Sequence, residues 1–489
     1  MRVGLPFGLF ALGFLVACAG QAPGTKLDVD ADPVSRLRRQ GDSEFEKMHW
    51  RGWKNAVACY NEAREKGDEA SLRQKLFTAY VLLSLRETEL YYRDESWLQK
   101  AEALLPSLPE VPFTGYLAVA QKKFFAHPLN PGGFAHKTID LDKFRLPGEA
   151  ASVTPQYFLL KFLSTMPTPD AAEKYSKAEN EFRQLHGNSN LAVYLRSYTP
   201  DEIEEKLAAF PDFAEMFMLR GDRHRSEKKY QEALADYQQA VLIMPVLYKA
   251  CNAMAALYYS FEEFALALTH YGQTLEISPL EPTALFGRAI CLSELKRFDE
   301  SDQALKAMIE KQSFYHGEAN YYLAKNSYFR SRLEAARSYL DLAAAYIPDS
   351  PDLNMLSGLL HLERGQPGQA VICFRKVLEL QPLMAEAWFY LGRAVRLEKK
   401  DKDARPHFQK AVENFRRELD GFDAKLDEMK KNMGSDSFQK NYYAKRLRQR
   451  AEYAQDAIAR LAPLQRAYKK PPLSGLGELL TALSKVPDQ

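Results

Sequence analysis

The 489-residue chain is poor in the features that usually carry catalysis or metal binding. Its five cysteines stand singly at Cys18, Cys59, Cys251, Cys291 and Cys373, with no CxxC pair and no histidine partner at metal-ligand spacing. That excludes a zinc-ribbon or thioredoxin-like reading, and no metal site is expected. There is no HExxH, no Walker loop, no GxGxxG after a strand and no GxSxG elbow, so the chain is expected to be neither an enzyme nor a cofactor binder. His127 and His136 flank a Pro-Gly-Gly turn near Asp140 and Asp142, but loop polarity explains them more simply than a metal does. A net charge of +2 gives no pull toward nucleic acid. Past the first 17 residues no apolar run approaches the roughly 18 residues of a membrane-spanning helix.

What the chain does have is a period. Pro245, Pro279, Pro348 and Pro382 are spaced 34, 69 and 34 residues apart, and 69 is two such periods plus one residue. Before each proline, positions minus twelve, minus eight and minus five lie on one face of a helix. They hold Ala233, Tyr237, Ala240; Ala267, Tyr271, Thr274; Ala336, Leu340, Ala343; and Ala370, Phe374, Val377. A small residue lets a neighbouring helix approach, a ring fills the gap, and the proline ends the helix because it has no N–H to donate. Twelve residues before each alanine lies another small residue, Gly221, Ala255, Ala324 or Gly358, which marks the preceding helix of a hairpin. A further copy uses Trp388, Leu391, Gly392, Ala404, Phe408 and Ala411, with Arg416 in the proline's place. A degenerate copy fits between Pro279 and Pro348 through Leu285, Ala289, Ser301, Leu305 and Met308. A period of this length predicts an all-α solenoid of stacked helical hairpins.

These residues resemble the tetratricopeptide repeat signature over about residues 214 to 416. The resemblance implies a right-handed α-solenoid whose concave groove binds a peptide or protein partner. The groove would be lined by the first helix of each hairpin, on the face turned away from the small packing residues. Carrying that register across assigns Asn252, Tyr259, Phe286, Tyr321, Lys325, Tyr328, Phe389, Arg393 and Arg396 to it, together with Met218, Asp222, Arg225, Ile290, Met355, Leu359 and Leu362. Aromatic anchors with a few cations are the composition enriched at binding hot spots. Chaperone-binding members of the family clamp a terminal carboxylate with Lys and Asn residues; Met218, Asp222 and Phe286 stand at corresponding positions here, so the lining departs from that clamp. Tyr328 packing against the next hairpin, and Arg393 with Arg396 forming a merely solvated face, are the plain alternatives.

The amino terminus carries a second resemblance. Arg2 precedes an apolar run from Val3 to Ala17, and Leu15, Val16, Ala17 and Cys18 are similar to the lipobox of bacterial lipoproteins. The resemblance implies cleavage before Cys18, acylation of its thiol and a body tethered to a membrane of the cell envelope. Ala19 follows the cysteine where an aspartate would suggest inner-membrane retention, so the outer membrane, facing the periplasm, is favoured. A plain signal peptide with an incidental cysteine is the alternative.

The expected organisation is a signal peptide over 1–17, a linker over 18–36, divergent hairpins over 37–105, a proline-rich region over 106–200, the repeat array over 201–416 and capping helices over 417–489. In the amino-terminal part Trp53, Ala56, Tyr60 and Ala63 repeat the second-helix spacing. The cluster of prolines from Pro106 to Pro169 predicts short helical pieces such as 115–125 and 157–164, and Thr199, Pro200 and Glu202 predict a capped helix restart. From Lys440 to Lys470 nine basic residues face two acidic ones on an amphipathic pattern, read as a cap of the array or as a surface for anionic lipid. The functional reading is a membrane-anchored scaffold for protein partners, in envelope assembly or secretion. The competing reading is a ligand-presenting periplasmic subunit associated with a transporter, its pocket formed by the proline-rich region.

Overall fold

The computed structural model describes residues 32–108 (except 91 and 93), 120, 169–194, 197–311, 315–398, 400–421 and 449–461, and among these the regular elements are all helical. Four helices come first: α1 Pro33–Glu46, α2 Trp50–Lys66, α3 Ala70–Glu89 and α4 Ser96–Leu104. After the proline-rich region come α5 Pro169–His186 and α6 Pro200–Ala209. The helix predicted after Thr199 is there, closed by a capping box between Thr199 and Glu202. The expectation of only short pieces before it fails at α5, an 18-residue helix with Pro169 at its first position. The next proline is Pro200, so thirty residues are free of proline and the helix runs on until Gly187. The pieces at 115–125 and 157–164, the pair His127 and His136, and Cys18 lie outside the described residues.

Six hairpins follow: α7 Ala214–Ser226 with α8 Tyr230–Ile243, α9 Tyr248–Ser260 with α10 Phe264–Ile277, α11 Pro282–Glu294 with α12 Phe298–Lys311, α13 His316–Phe329 with α14 Leu333–Ala344, α15 Pro351–Glu363 with α16 Pro367–Leu380, and α17 Ala385–Leu397 with α18 Asp401–Asp420. Each helix packs on its hairpin partner and on the next hairpin, the arrangement of an α-solenoid. The predicted packing slots are buried throughout: Ala233, Tyr237, Ala240, Ala267, Ala336, Ala343, Ala370, Phe374 and Val377 have no exposure at all. The second helices end two to four residues before their prolines. Where Arg416 replaces the proline, α18 runs on to Asp420.

The turns inside the hairpins show how the period is built. Lys228, Glu262, Lys296, Ser331 and Gly365 all have positive φ, between 57° and 68°. Each closes a Schellman motif, in which the next N–H reaches back to a carbonyl of the last helical turn, as Lys229 N–H does to the His224 carbonyl at 2.8 Å. Four of the five are not glycine, so the turns carry no strong sequence signal. The residue in excess of two periods also finds its place: α13 has 14 residues, whereas α7, α9, α11, α15 and α17 each have 13.

The amino-terminal helices join the array. One buried apolar cluster runs from Trp50 through Leu104, Phe182 and Leu191 to Tyr237 and Phe261. Polar contacts reinforce the junction: Asp212 lies 3.4 Å from His49 Nε2 and 3.5 Å from Lys47 Nζ, Asn190 Nδ2 donates to the Lys47 carbonyl at 2.8 Å, and His49 stacks on Phe213 at 5.1 Å. Arg86, fully buried on α3, pairs with Glu89 at 3.0 Å and with Glu215 of α7 at 3.7 Å. At the other end helical residues 449–461 cover α17 and α18, with Arg450 binding Glu386 at 2.7 Å and Glu418 at 2.9 Å. That arginine of the basic segment therefore holds a cap in place.

Candidate partner-binding groove

The first helices α9, α11, α13, α15 and α17 also touch one another in series. Elements brought together across successive hairpins in this way line the inside of a curved array. Each presents its small residue to the partner helix: an added Cβ on Gly221 would sit 2.7 Å from the Tyr237 ring, and one on Gly358 would sit 2.5 Å from the Phe374 ring. The opposite face is left for the groove. Gly221 is thus a packing residue.

Three successive first helices bring aromatic rings together there. Tyr259 of α9 and Tyr322 of α13 place their hydroxyls 3.4 Å apart. Phe286 of α11 meets Tyr322 edge-on at 5.8 Å and lies parallel to Tyr315 at 4.9 Å. Tyr321 packs edge-on against Tyr322 at 5.3 Å, and Phe264 closes on Tyr259 at 5.5 Å. Lys325 Nζ donates to Glu294 at 2.7 Å and lies 5.2 Å from the centre of the Tyr322 ring. Burial pushes the Tyr322 phenol up to about 12, against the hydrogen bond with Tyr259, so the cluster is uncharged near neutral pH. Tyr259, Phe286, Tyr321 and Lys325 are half-buried, each keeping part of its surface open.

The remaining predicted residues are distributed differently. Asn252 is at the seam between hairpins, its Nδ2 donating to Thr283 at 2.8 Å, and does not join the aromatic cluster. Tyr328 is 8% exposed and sits in the apolar cluster of α13 to α15 with Leu356 and Leu360, the packed alternative to groove exposure. Phe389 is half-buried against Tyr390 and Phe408. Arg393 and Arg396 are half-buried, so neither is a freely solvated side chain. Burial lowers the Arg393 guanidinium below its ordinary value, with Tyr390, Glu363 and Tyr328 opposing that shift electrostatically.

Two contributors escaped the sequence register. Tyr322 occupies the middle of the aromatic cluster, one position along from the predicted Tyr321, and the extra residue of α13 is the signal that bears on it. Tyr315 enters the groove through a left-handed backbone, φ 59°, immediately before α13, a conformation that costs a bulky residue energy and turns its ring onto Phe286. No disulfide links Cys251, Cys291 and Cys373; Cys291 is buried beneath Tyr259, and burial pushes Cys251 up to about 11 and Cys291 up to about 12. Among the described residues no group of three or more His, Cys, Asp and Glu could hold a metal ion, and no helix is long and apolar enough to cross a membrane.

Stacked hairpins with a ring-lined inner face define an α-solenoid of the kind that holds other chains. The family model described as tetratricopeptide repeat matches residues 252–316 and 355–418, and the chain carries tetratricopeptide repeats there. Proteins of this fold generally mediate protein–protein or peptide interactions. Similar solved structures include PilW, a widely conserved type IV pilus biogenesis factor (18% identity over 41% of this chain and 93% of that one, TM-score 0.38). Another is a tetratricopeptide repeat protein from Parabacteroides merdae (16% identity over 59% and 98%, TM-score 0.39). A third is YrrB, a TPR protein with an unusual peptide-binding site (19% identity over 36% and 91%, TM-score 0.30). No curated protein matches the chain in sequence.

Proposed function

We propose that this protein is a lipid-anchored scaffold of a bacterial cell envelope, tethered through Cys18 at the outer membrane and facing the periplasm, which holds a peptide or protein partner in the inner groove of its repeats. The observation that carries the binding role is the set of half-buried rings, Tyr259, Phe286 and Tyr321, gathered around Tyr322 from three successive first helices. Rings of this kind supply large contact area at little entropic cost. The anchor rests on the tetrapeptide ending at Cys18, and a role in envelope assembly or secretion follows from joining the two. The transporter-subunit reading draws its pocket from the proline-rich region, most of which lies outside the described residues.

A photo-crosslinking residue at position 286, expressed in the native host, tests the groove. The expected product is a discrete adduct that disappears when Tyr322→Ala is added. An adduct pattern indifferent to Tyr322, or identical to that from a crosslinker on the outer face at Leu342, sinks the groove reading. Cys18→Ser is expected to leave the protein unacylated and in the soluble fraction; a variant that still carries lipid and sediments with membrane removes the anchor.

A further inference from the structure

One side chain of the groove already shows what its aromatic cluster can hold. Lys325 Nζ donates to Glu294 Oε1 at 2.7 Å and lies 5.2 Å from the centre of the Tyr322 ring, so a carboxylate and an aromatic ring together hold an ammonium. The ring is fixed in its turn: the Tyr259 hydroxyl stands 3.4 Å from that of Tyr322, and Tyr321 and Phe286 meet Tyr322 edge-on at 5.3 and 5.8 Å. Every part is reachable. The Lys325 and Glu294 side chains keep 23% and 24% of their surface exposed, and the four rings are half-buried.

The ion pair is not a demand of the repeat. Arg393 stands behind its small packing residue, Gly392, as Lys325 stands behind Ala324, and makes no ion pair among the described residues. A partly exposed pair such as Lys325 with Glu294 is worth at most about fivefold in an equilibrium constant, so the ammonium can leave at little cost. A guanidinium suits the same surroundings better than an ammonium does. It is planar, stacks on a ring, and forks onto both oxygens of a carboxylate, where Lys325 takes one. The neighbourhood also favours a positive guest. Asp352, exposed in the first turn of α15, is a second carboxylate near these rings: burial raises the Tyr321 and Tyr322 phenols, and the charges of Asp352 and Glu294 raise both further. Lys325 balances one of the two.

We propose that Glu294 and Tyr322 form a subsite for an arginine side chain of the bound peptide, whose guanidinium displaces Lys325 from the carboxylate and stacks on the ring. Lys325 is then an internal plug that the guest pushes aside. This rests on the groove reading and sharpens it: the partner segment is basic where it crosses α11 and α13.

The test is a display selection of random dodecapeptides on the full chain and on its Glu294→Gln and Lys325→Met variants. The best peptide and its arginine-to-glutamine counterpart are then measured by fluorescence anisotropy. Wild type is expected to enrich arginine and to bind the glutamine counterpart roughly tenfold more weakly, the scale of a hydrogen bond to a charged group. That comparison needs no variant, so it decides the matter even if one of them fails to fold. Glu294→Gln should lose the arginine preference. Lys325→Met keeps an apolar stem and removes the plug, and should bind the arginine peptide up to about fivefold more tightly. If wild type selects peptides with no arginine preference, if Glu294→Gln keeps that preference, or if Lys325→Met weakens binding, the subsite is wrong and the groove stands. If wild type selects no peptide at all, both fall.

Discussion

Gly358 and Gly272 look alike in sequence, each inside a helix of one repeat, yet replacement by alanine should move stability in opposite directions. An alanine Cβ at 272 meets nothing within 4 Å, so the change only restricts the unfolded chain and improves helix propensity, a gain of about 0.5–1 kcal/mol. At 358 the same atom would lie 2.5 Å from Phe374 Cε1 and 2.7 Å from Cζ, where unstrained carbons stay about 3.5–4.0 Å apart. The ring has to move by about 1 Å, but Phe374 is fully buried and stacked 5.7 Å from Tyr390, itself 1% exposed. Overpacking of this kind costs about 1–3 kcal/mol, only partly offset by the propensity gain. The two variants should therefore differ by about 1–3 kcal/mol. Urea unfolding followed by far-ultraviolet circular dichroism measures the difference, and Phe374→Leu should relieve the strain in the Gly358→Ala background. Equal gains from Gly358→Ala and Gly272→Ala would refute the packing of small residue against ring that underlies the register.

Three further outcomes are expected. Burial alone would raise the Asp212 carboxyl, but His49 and Lys47 outweigh it and draw it down to about 2 from 3.8. A lowered folded value means that its contribution is complete above about pH 4 and lost as the pH falls toward 2; Asp212→Asn should flatten the stability profile over that window, and an unchanged slope would show that the pair does not hold the junction. Arg86→Met leaves Glu89 and Glu215 buried without their cation, and should cost about 3–5 kcal/mol, read as easier proteolytic opening of 33–104 from the array. Glu262→Gly removes a side chain from a left-handed backbone and should stabilise by about 1 kcal/mol in the same urea assay; a loss would mean that Glu262 is held there by contacts worth more than the strain.

Much of the array was legible because its contacts repeat. Tyr237, Tyr271, Leu340, Phe374 and Phe408 each meet the small residues of their hairpins, so the same chemistry returns every 34 residues and shows as a period. Contacts that occur once leave no such trace. The Schellman turns use Lys, Glu and Ser where glycine would have advertised them, since surrounding packing offsets the left-handed strain. Gly287, whose absent side chain admits the Tyr271 ring of the preceding hairpin, was passed over because it serves a contact between hairpins and not within one. In the groove, Phe286, Tyr259 and Tyr321 lie within reach of the register and pack around Tyr322, whereas Tyr322, Tyr315 and Glu294 depend on how α13 accommodates one additional residue.

The sequence by itself determined the repeat and the pairing of each small residue with a large apolar one, because both follow from spacing along one hairpin; the inward-facing helices were implied only by the family resemblance. Only the tertiary structure decided that the helices at 33–104 continue the array across more than a hundred intervening residues, that Tyr328 is packed while Phe286 is half open, and that Lys325 is neutralised while Arg393 is not. Two cations in one repeat slot read identically in sequence. Whether a carboxylate reaches them is settled by the curvature and stacking of neighbouring hairpins, distances that no single repeat encodes.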